Sequence, residues 1–481
     1  MNRRTFLKNT GACSALSLVP GILTAGNIPS HPALRDFDRR PPEEQRRFSS
    51  PAVEEQMKNI AGEIADEDLR RLFVQCYPNT LDTTVFYEEL PGGSEDTYII
   101  TGDIEAMWLR DSTAQVWPYL PLLKDDPRLQ RMVRGLIRRQ AACVRLDPYA
   151  NAFYPDARKP SEWASDQPSP APGVHERKWE IDSLCYVIRL AHGYYNRTGD
   201  ITPFDASWAE SMKLLVETLR TEQRPEGNSP YFFRRKTTAM EDAPVHNGTG
   251  RPASYTGMVY SMFRPSDDAT LFPFLVPSNL FAVWSLQQLS QLSADVLKDD
   301  TFAAECTSLA GQIHDGIMKY AVHDHLDYGK IYAYETDGYG NALFMDDANV
   351  PSLLSLSYLG IVPQDDIIYQ NTRRFVLSRH NPWFLKGNLA EGNGSPHTGK
   401  SHIWPMSIIL RALTSHQTEE IKHCLRMLRN THAGTFFMHE AFHRDDPANF
   451  TRKWFAWANT LFGEMIVKVY HEHPELLKTN Y

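Results

Sequence analysis

Apolar residues fall at every third or fourth position through segment after segment of this chain, a period that suits an amphipathic helix. The spacing predicts helices over 53–76, 112–123, 127–146, 181–197, 207–221, 279–297, 301–320, 351–358, 364–377, 403–414, 418–430 and 454–470. Two β-prone pieces, 84–88 and 97–101, flank Pro91-Gly92-Gly93. Most helices are paired and separated by long loops. Glycine, proline, acids and aromatics collect in those loops, at 101–111, 178–182, 255–279, 344–352 and 394–404. Loops that return repeatedly to one end of a helical scaffold build a pocket there. The expected architecture is all-α, a ring of helical hairpins with minor β elements in the loops and an active face made of loops and helix N-termini.

The ends of the chain read differently from its body. Arg3, Arg4 and Lys8 precede an apolar stretch broken by Pro20 and Gly21, so residues 1–26 read as an export signal, too short and interrupted for a membrane span. The Arg3-Arg4 pair followed by Phe6-Leu7-Lys8 resembles a twin-arginine signal, and an ordinary secretory signal is the plainer alternative. A periplasmic location is the expectation. Residues 27–50, rich in Pro, Arg and Glu, read as a linker-like segment, and 51–481 as a single domain. Five cysteines, Cys76, Cys143, Cys185, Cys306 and Cys424, follow the signal. They are scattered and odd in number, which suits small buried apolar groups better than a disulfide framework. The net charge of −9 becomes more negative without the signal, and no basic tract offers a nucleic-acid surface.

One motif stands out. His439-Glu440-Ala441-Phe442-His443 is a literal H-E-x-x-H, which on a stable helix makes a zinc site with a glutamate base. Gly434 before it and Pro447 after it leave room for little regular helix. The same stretch can instead be read as one carboxylate, Glu440, held in a loop. Acids recur beside aromatics and arginines elsewhere: Trp108-Leu-Arg110-Asp111, Trp179-Glu-Ile-Asp182 and Arg264-Pro-Ser-Asp267-Asp268. Two carboxyl groups flanking a glycosidic bond hydrolyse it, one protonating the leaving oxygen and the other activating water or attacking carbon. Aromatic faces and Arg/Asp pairs hold the sugar. Each cluster has a plainer reading as well. Trp108, Trp117, Trp284 and Trp457 have helical spacing and apolar neighbours, and a single Arg–Asp pair is commonly a helix-end salt bridge. The residues alone support an exported α-helical enzyme, a hydrolase. A zinc hydrolase using His439, Glu440 and His443 and a non-catalytic glycan-binding protein are the alternatives.

Taken together and in order, Thr101-Gly-Asp-Ile-Glu-Ala-Met-Trp-Leu-Arg-Asp-Ser112, Lys178-Trp-Glu-Ile-Asp-Ser-Leu184, Phe263-Arg-Pro-Ser-Asp-Asp-Ala269, Ser395-Pro-His-Thr-Gly399 and Met438-His-Glu-Ala-Phe442 resemble glycoside hydrolase family 125, bacterial exo-α-1,6-mannosidases. The resemblance runs from about Pro41 onward. It implies an (α/α)6 barrel, hydrolysis without metal or other cofactor, inversion at the anomeric carbon, and release of terminal non-reducing α-1,6-linked mannose from N-glycans or yeast mannan. It places the general acid in the Asp267-Asp268 pair, with Asp267 preferred, and the general base at Glu440. Inversion then requires the two carboxyls to lie roughly 6.5–9.5 Å apart. Trp108, Arg110, Asp111, Asp182, Arg264, Asp268 and His397 are the expected sugar contacts, with His402 a weaker candidate. The calcium-dependent α-mannosidases of another family differ in needing metal-ligand carboxylates.

Overall fold

The computed structural model describes residues 39–481. The expected export signal and the first part of the linker-like segment lie outside the described residues. Residues 39–50 lie against the body: Arg40 pairs with Asp82 at 2.6 Å, and the Phe48 amide donates to the Leu81 carbonyl beside a buried Phe48 ring.

The fold is an (α/α)6 barrel. Its inner ring runs through the helices Leu109–Val116, Ile181–Thr198 and Val276–Leu292, a segment of successive turns at 354–360, and the helices Pro405–Leu413 and Ala456–Glu472. The last of these packs back against the first and closes the ring. Outer helices Glu67–Cys76, Pro127–Leu146, Ala206–Thr221, Asp300–Tyr320, Ile367–Val376 and Thr418–Asn430 surround it. The two rings differ in sequence as burial demands. Val276–Leu292 is apolar nearly all round and almost wholly buried, whereas Pro127–Leu146 alternates Leu129, Met132, Val133 and Leu136 with arginines facing outward. The start of Pro127–Leu146 is fixed by Pro127 and by the Asp126 carboxylate, which accepts from the amides of Arg128 and Leu129, a cap worth about 1 kcal/mol.

Two segments depart from the sequence expectation. The pattern over 53–76 divides into Pro51–Glu63 and Glu67–Cys76, because Asp66 accepts from the Leu69 amide and starts a second helix. The helix expected over 351–358 is a run of turns. The Asp346 carboxylate takes the amides of Leu353 and Leu354, and Ser352 and Ser355 bond each other's amides, so the segment's donors go to side chains. It still fills its place in the ring: Leu359 accepts from Arg189, and Tyr358 donates to Glu464.

The β elements are small, and three of them share a location. Met107–Trp108, Phe274–Leu275 and His402–Ile403 each belong to a three-stranded antiparallel sheet, and each leads at once or within a residue into an inner helix. The sheets therefore sit at the N-terminal ends of inner helices. The expected β pair is present as the hairpin Val85–Glu89 with Glu95–Ile99, in register Val85 to Ile99. All five described cysteines are free and buried. Among the described residues no helix is long and apolar enough to cross a membrane.

Candidate active site

A pocket of about 400 Å³ opens at the N-terminal ends of the inner helices. Trp108, Arg110, Asp111, Asp267, His397 and Glu440 all line it, so loops far apart in the chain converge on one small space. Arg110 and Asp111 come from the first turn of Leu109–Val116, positioned by the Met107–Trp108 strand. Asp267 comes from a tight turn in which its amide donates to the Arg264 carbonyl and the Arg264 amide donates to the Asp268 carbonyl. Its φ of 65° is left-handed, a region aspartate tolerates better than most side chains. Lys178 holds the turn from below by donating Nζ to the Asp267 carbonyl at 2.8 Å.

Behind this wall is a crowded set of charges. The Arg110 guanidinium reaches Glu180 at 2.6 Å, Asp182 at 3.2 Å, Asp267 at 3.2 Å and Asp111 at 3.4 Å, one cation among four carboxyls. Burial pushes Asp111 and Asp182 up to about 6 against the pull of Arg110. Arg110 and Asn151 each reach both Glu180 and Asp267 and so bring the two carboxyls together. Burial, opposed by Arg110, drives Glu180 well above the usual carboxyl range. Burial acts on Asp267 too, but Arg110, the hydrogen bond from Glu180, and Lys178 outweigh it and hold Asp267 below its ordinary value.

Glu440 faces Asp267's pocket from other surroundings. It immediately precedes the strand Ala441–His443, which pairs with His402–Ile403 and Asp446–Thr451. Its Oε1 accepts from Arg452 Nη1 at 3.3 Å, and Arg452 also grips Asp103, with Nη2 to Oδ1 at 2.6 Å. The loop bearing Asp103 is tied to the same region: Gly102 bridges Phe455, and the Asp103 amide donates to the Trp454 carbonyl. Gly102 has a φ of 130°, and a Cβ there would lie 2.4 Å from the Trp454 carbonyl oxygen, so the approach needs glycine.

The H-E-x-x-H segment is not helical, so its histidines do not share a helical face. His439 stacks on Phe450 with centroids 3.7 Å apart, and burial lowers its pKa to about 4. His443 instead contacts the His402 ring across the sheet. Among the described residues no group of three or more His, Cys, Asp or Glu is arranged to hold a metal ion. The zinc reading lacks the geometry it requires.

Three expected sugar contacts lie behind the pocket wall. Asp182 is fully buried beneath Arg110. Arg264 donates Nε to Glu335 at 2.7 Å, and Glu335 accepts from the amides of Leu271 and Phe272, so this pair braces the turn that carries Asp267. Asp268 Oδ1 pairs with His397 Nδ1 at 2.9 Å. That bond, with the charges of Glu440 and Asp267, overcomes burial and pushes His397 up to about 9, so it is a cation at neutral pH. His402 does not line the pocket. Sequence reasoning singled out neither Glu180, inside a motif it quoted, nor Arg452, which no motif marks. The wall also presents Trp108 Nε1 and Ser266 Oγ, both buried and without a protein hydrogen-bond partner.

With the geometry in place, comparison with known proteins is informative. The family model described as metal-independent α-mannosidase, GH125, matches residues 66–467. The meiotically up-regulated gene 157 protein of Schizosaccharomyces pombe (strain 972) is 39% identical over 471 residues, covering 94% of this chain and 92% of that protein. A solved Streptococcus pneumoniae structure, from work on a family of metal-independent α-mannosidases and in a non-productive complex with α-1,6-mannobiose, superimposes with a TM-score of 0.84. It is 41% identical, and the match covers 88% of this chain and 99% of that one. A bacterial glucoamylase complexed with acarbose is similar in fold alone, with a TM-score of 0.53 and 11% identity over 88% of this chain and 59% of the other.

Proposed function

Because this chain belongs to the GH125 family of metal-independent α-mannosidases, we propose that it removes terminal non-reducing α-1,6-linked mannose from glycans or mannan by inverting hydrolysis. The observation that carries the reading is that Asp267 and Glu440, from loops far apart in the chain, line one pocket. The α-1,6-mannobiose bound by the Streptococcus pneumoniae relative supports the linkage. Asp267 delivers a proton to the glycosidic oxygen as the bond from the anomeric carbon to that oxygen breaks. Glu440 takes a proton from water as the water oxygen bonds to the opposite face of that carbon. Trp108 Nε1 and Ser266 Oγ are placed to bond sugar hydroxyls, and Arg110 offsets charge left on Asp267.

The test is incubation with α-1,6-, α-1,3- and α-1,2-mannobiose, with and without EDTA, while proton NMR follows the first anomer released. β-Mannose appearing first, from the 1,6-linked substrate and at unchanged rate in EDTA, is expected. α-Mannose first would mean retention. Binding of mannobiose with no release of mannose would make the protein a lectin-like binder. The basic and apolar residues at 1–26 favour export to the periplasm. Cell fractionation with sequencing of the mature N-terminus tests it.

A further inference from the structure

The general acid in an inverting site must be protonated when the substrate arrives, yet Asp267 stands against Arg110 Nη2 at 3.2 Å and above Lys178, both of which favour its ionised form. Its neighbour Glu180 answers the difficulty. Glu180 ends the loop before the Ile181–Thr198 helix, is 1% exposed, and does not line the pocket. Arg110 Nη1 donates to Glu180 Oε2 at 2.6 Å, and Ser183 Oγ donates to the same oxygen at 3.1 Å. Asn151 Nδ2 lies 3.2 Å from Glu180 Oε1 and 3.4 Å from Asp267 Oδ1, so one amide and one guanidinium clamp the two carboxyls side by side. Two carboxyl groups clamped side by side in this way repel each other unless a proton lies between them.

We propose that Glu180 is the proton-sharing partner of Asp267: the carboxyl pair enters each turnover with one proton, which Glu180 passes to Asp267 and Asp267 passes on to the leaving oxygen. The inference rests on Asp267 being the acid. Each turnover moves one proton out of the pair and leaves both carboxylates facing Arg110. The proton that Glu440 removes from water returns to the pair through solvent, so the cycle balances without another reactant. Glu180 touches no substrate and is a positioning residue.

The surroundings determine how the pair titrates. From the Leu109–Val116 helix it faces Arg110 and Asp111, and from its own helix Asp182. Glu176 and Lys178 approach from the 174–178 strand and loop, sharing Asn151 and each other, with His175 beside them. His397 adds a positive charge from the loop that also touches Asp268. Losing the pair's last proton would leave two negative charges side by side, so that proton is held to higher pH than either carboxyl would manage alone. Without Glu180, Asp267 would face Arg110 and Lys178 by itself and shed its proton earlier.

Glu180→Gln preserves shape and, with its amide oxygen turned to Arg110, that contact, but it gives up the acceptor for Asn151 and cannot share a proton. At neutral pH its kcat on α-1,6-mannobiose is expected to fall ~10–100-fold with KM little changed, within the range general acid catalysis supplies. The alkaline limb of its kcat–pH profile should move acidward by about one unit or more, with part of the rate recovered at low pH. On a dinitrophenyl α-mannoside, whose leaving group needs no proton, the defect should nearly vanish. A loss that is equal at every pH and on both substrates, or an unmoved alkaline limb, would overturn the proposal. Thermal melting monitors the fold, and if the Gln variant does not fold, Glu180→Asp is read by the same limb and the same two substrates. Asp267→Asn separates this inference from the one beneath it. If that variant stays active on mannobiose, the acid assignment fails. If it is inactive while Glu180→Gln keeps the wild-type profile, only the role of Glu180 fails.

Discussion

Asp267 sits among Arg110, Glu180 and Lys178, all buried and fixed at or near the N-termini of inner helices, whereas Glu440 hangs at the start of a narrow three-stranded ribbon with Arg452 as its cation. On the Asp267 side one guanidinium is surrounded by four carboxyls, an excess of negative charge that keeps a proton in the site. On the Glu440 side Arg452 is divided between the base and the outlying Asp103. In the roles proposed above, the first arrangement stores a proton and the second presents an acceptor for one. Opposite tasks in one pocket are separated by the company each carboxyl keeps.

The largest expected effect tests this difference directly. Asp267→Asn and Glu440→Ala should each lower kcat on α-1,6-mannobiose by about 10²–10⁴-fold. A dinitrophenyl leaving group should rescue the first and not the second, while added azide should rescue the second by supplying a nucleophile. Rescue of both variants by the same agent would erase the distinction. Next in size, Arg264→Ala leaves Glu335 buried without its cation. It should cost about 3–5 kcal/mol of stability, read as a fall in the denaturant midpoint. A large rise in KM with unchanged stability would return Arg264 to the sugar-binding role its motif suggested. Arg452→Gln should lower kcat roughly tenfold, comparable to the loss of one charge-assisted hydrogen bond, with less effect on KM. An unchanged kcat would show that the ribbon alone positions the base.

The smallest effect concerns His397. Its pKa is raised by Asp268, so the pair's stabilisation is complete below the unfolded histidine value near about 6.5 and is lost as pH rises through about 9. The side chain is 40% exposed, so solvent screens the interaction and the change is modest. Wild-type Tm should decline over that window more steeply than the Tm of His397→Gln. Parallel slopes would remove His397 as a charged member of the wall.

The helices of the outer ring were largely legible, because an amphipathic face writes its period into the chain: 127–146 and 418–430 coincide with the observed Pro127–Leu146 and Thr418–Asn430. The turns near 354–360 were not, since Asp346 determines them from outside the segment. Aromatic and acidic motifs located the walls of the site but not the layer each residue occupies. Arg264 and Asp182 carry the same motif signal as Arg110, and only packing separates a residue that faces the pocket from one that braces it. Arg452 gave no signal at all. Its relation to Glu440 depends on a hairpin whose register has a bulge at Phe442 and His443.

The ring closes where Ala456–Glu472 meets Leu109–Val116, fastened by the Ala456 amide on the Thr101 carbonyl and by Gly102 against Phe455. This seam also carries Asp103, Arg452 and the approach to Glu440. During synthesis the residues around Asp267 are therefore made before Glu440 and Arg452, and the pocket gains both sets of residues only when this final seam is fastened.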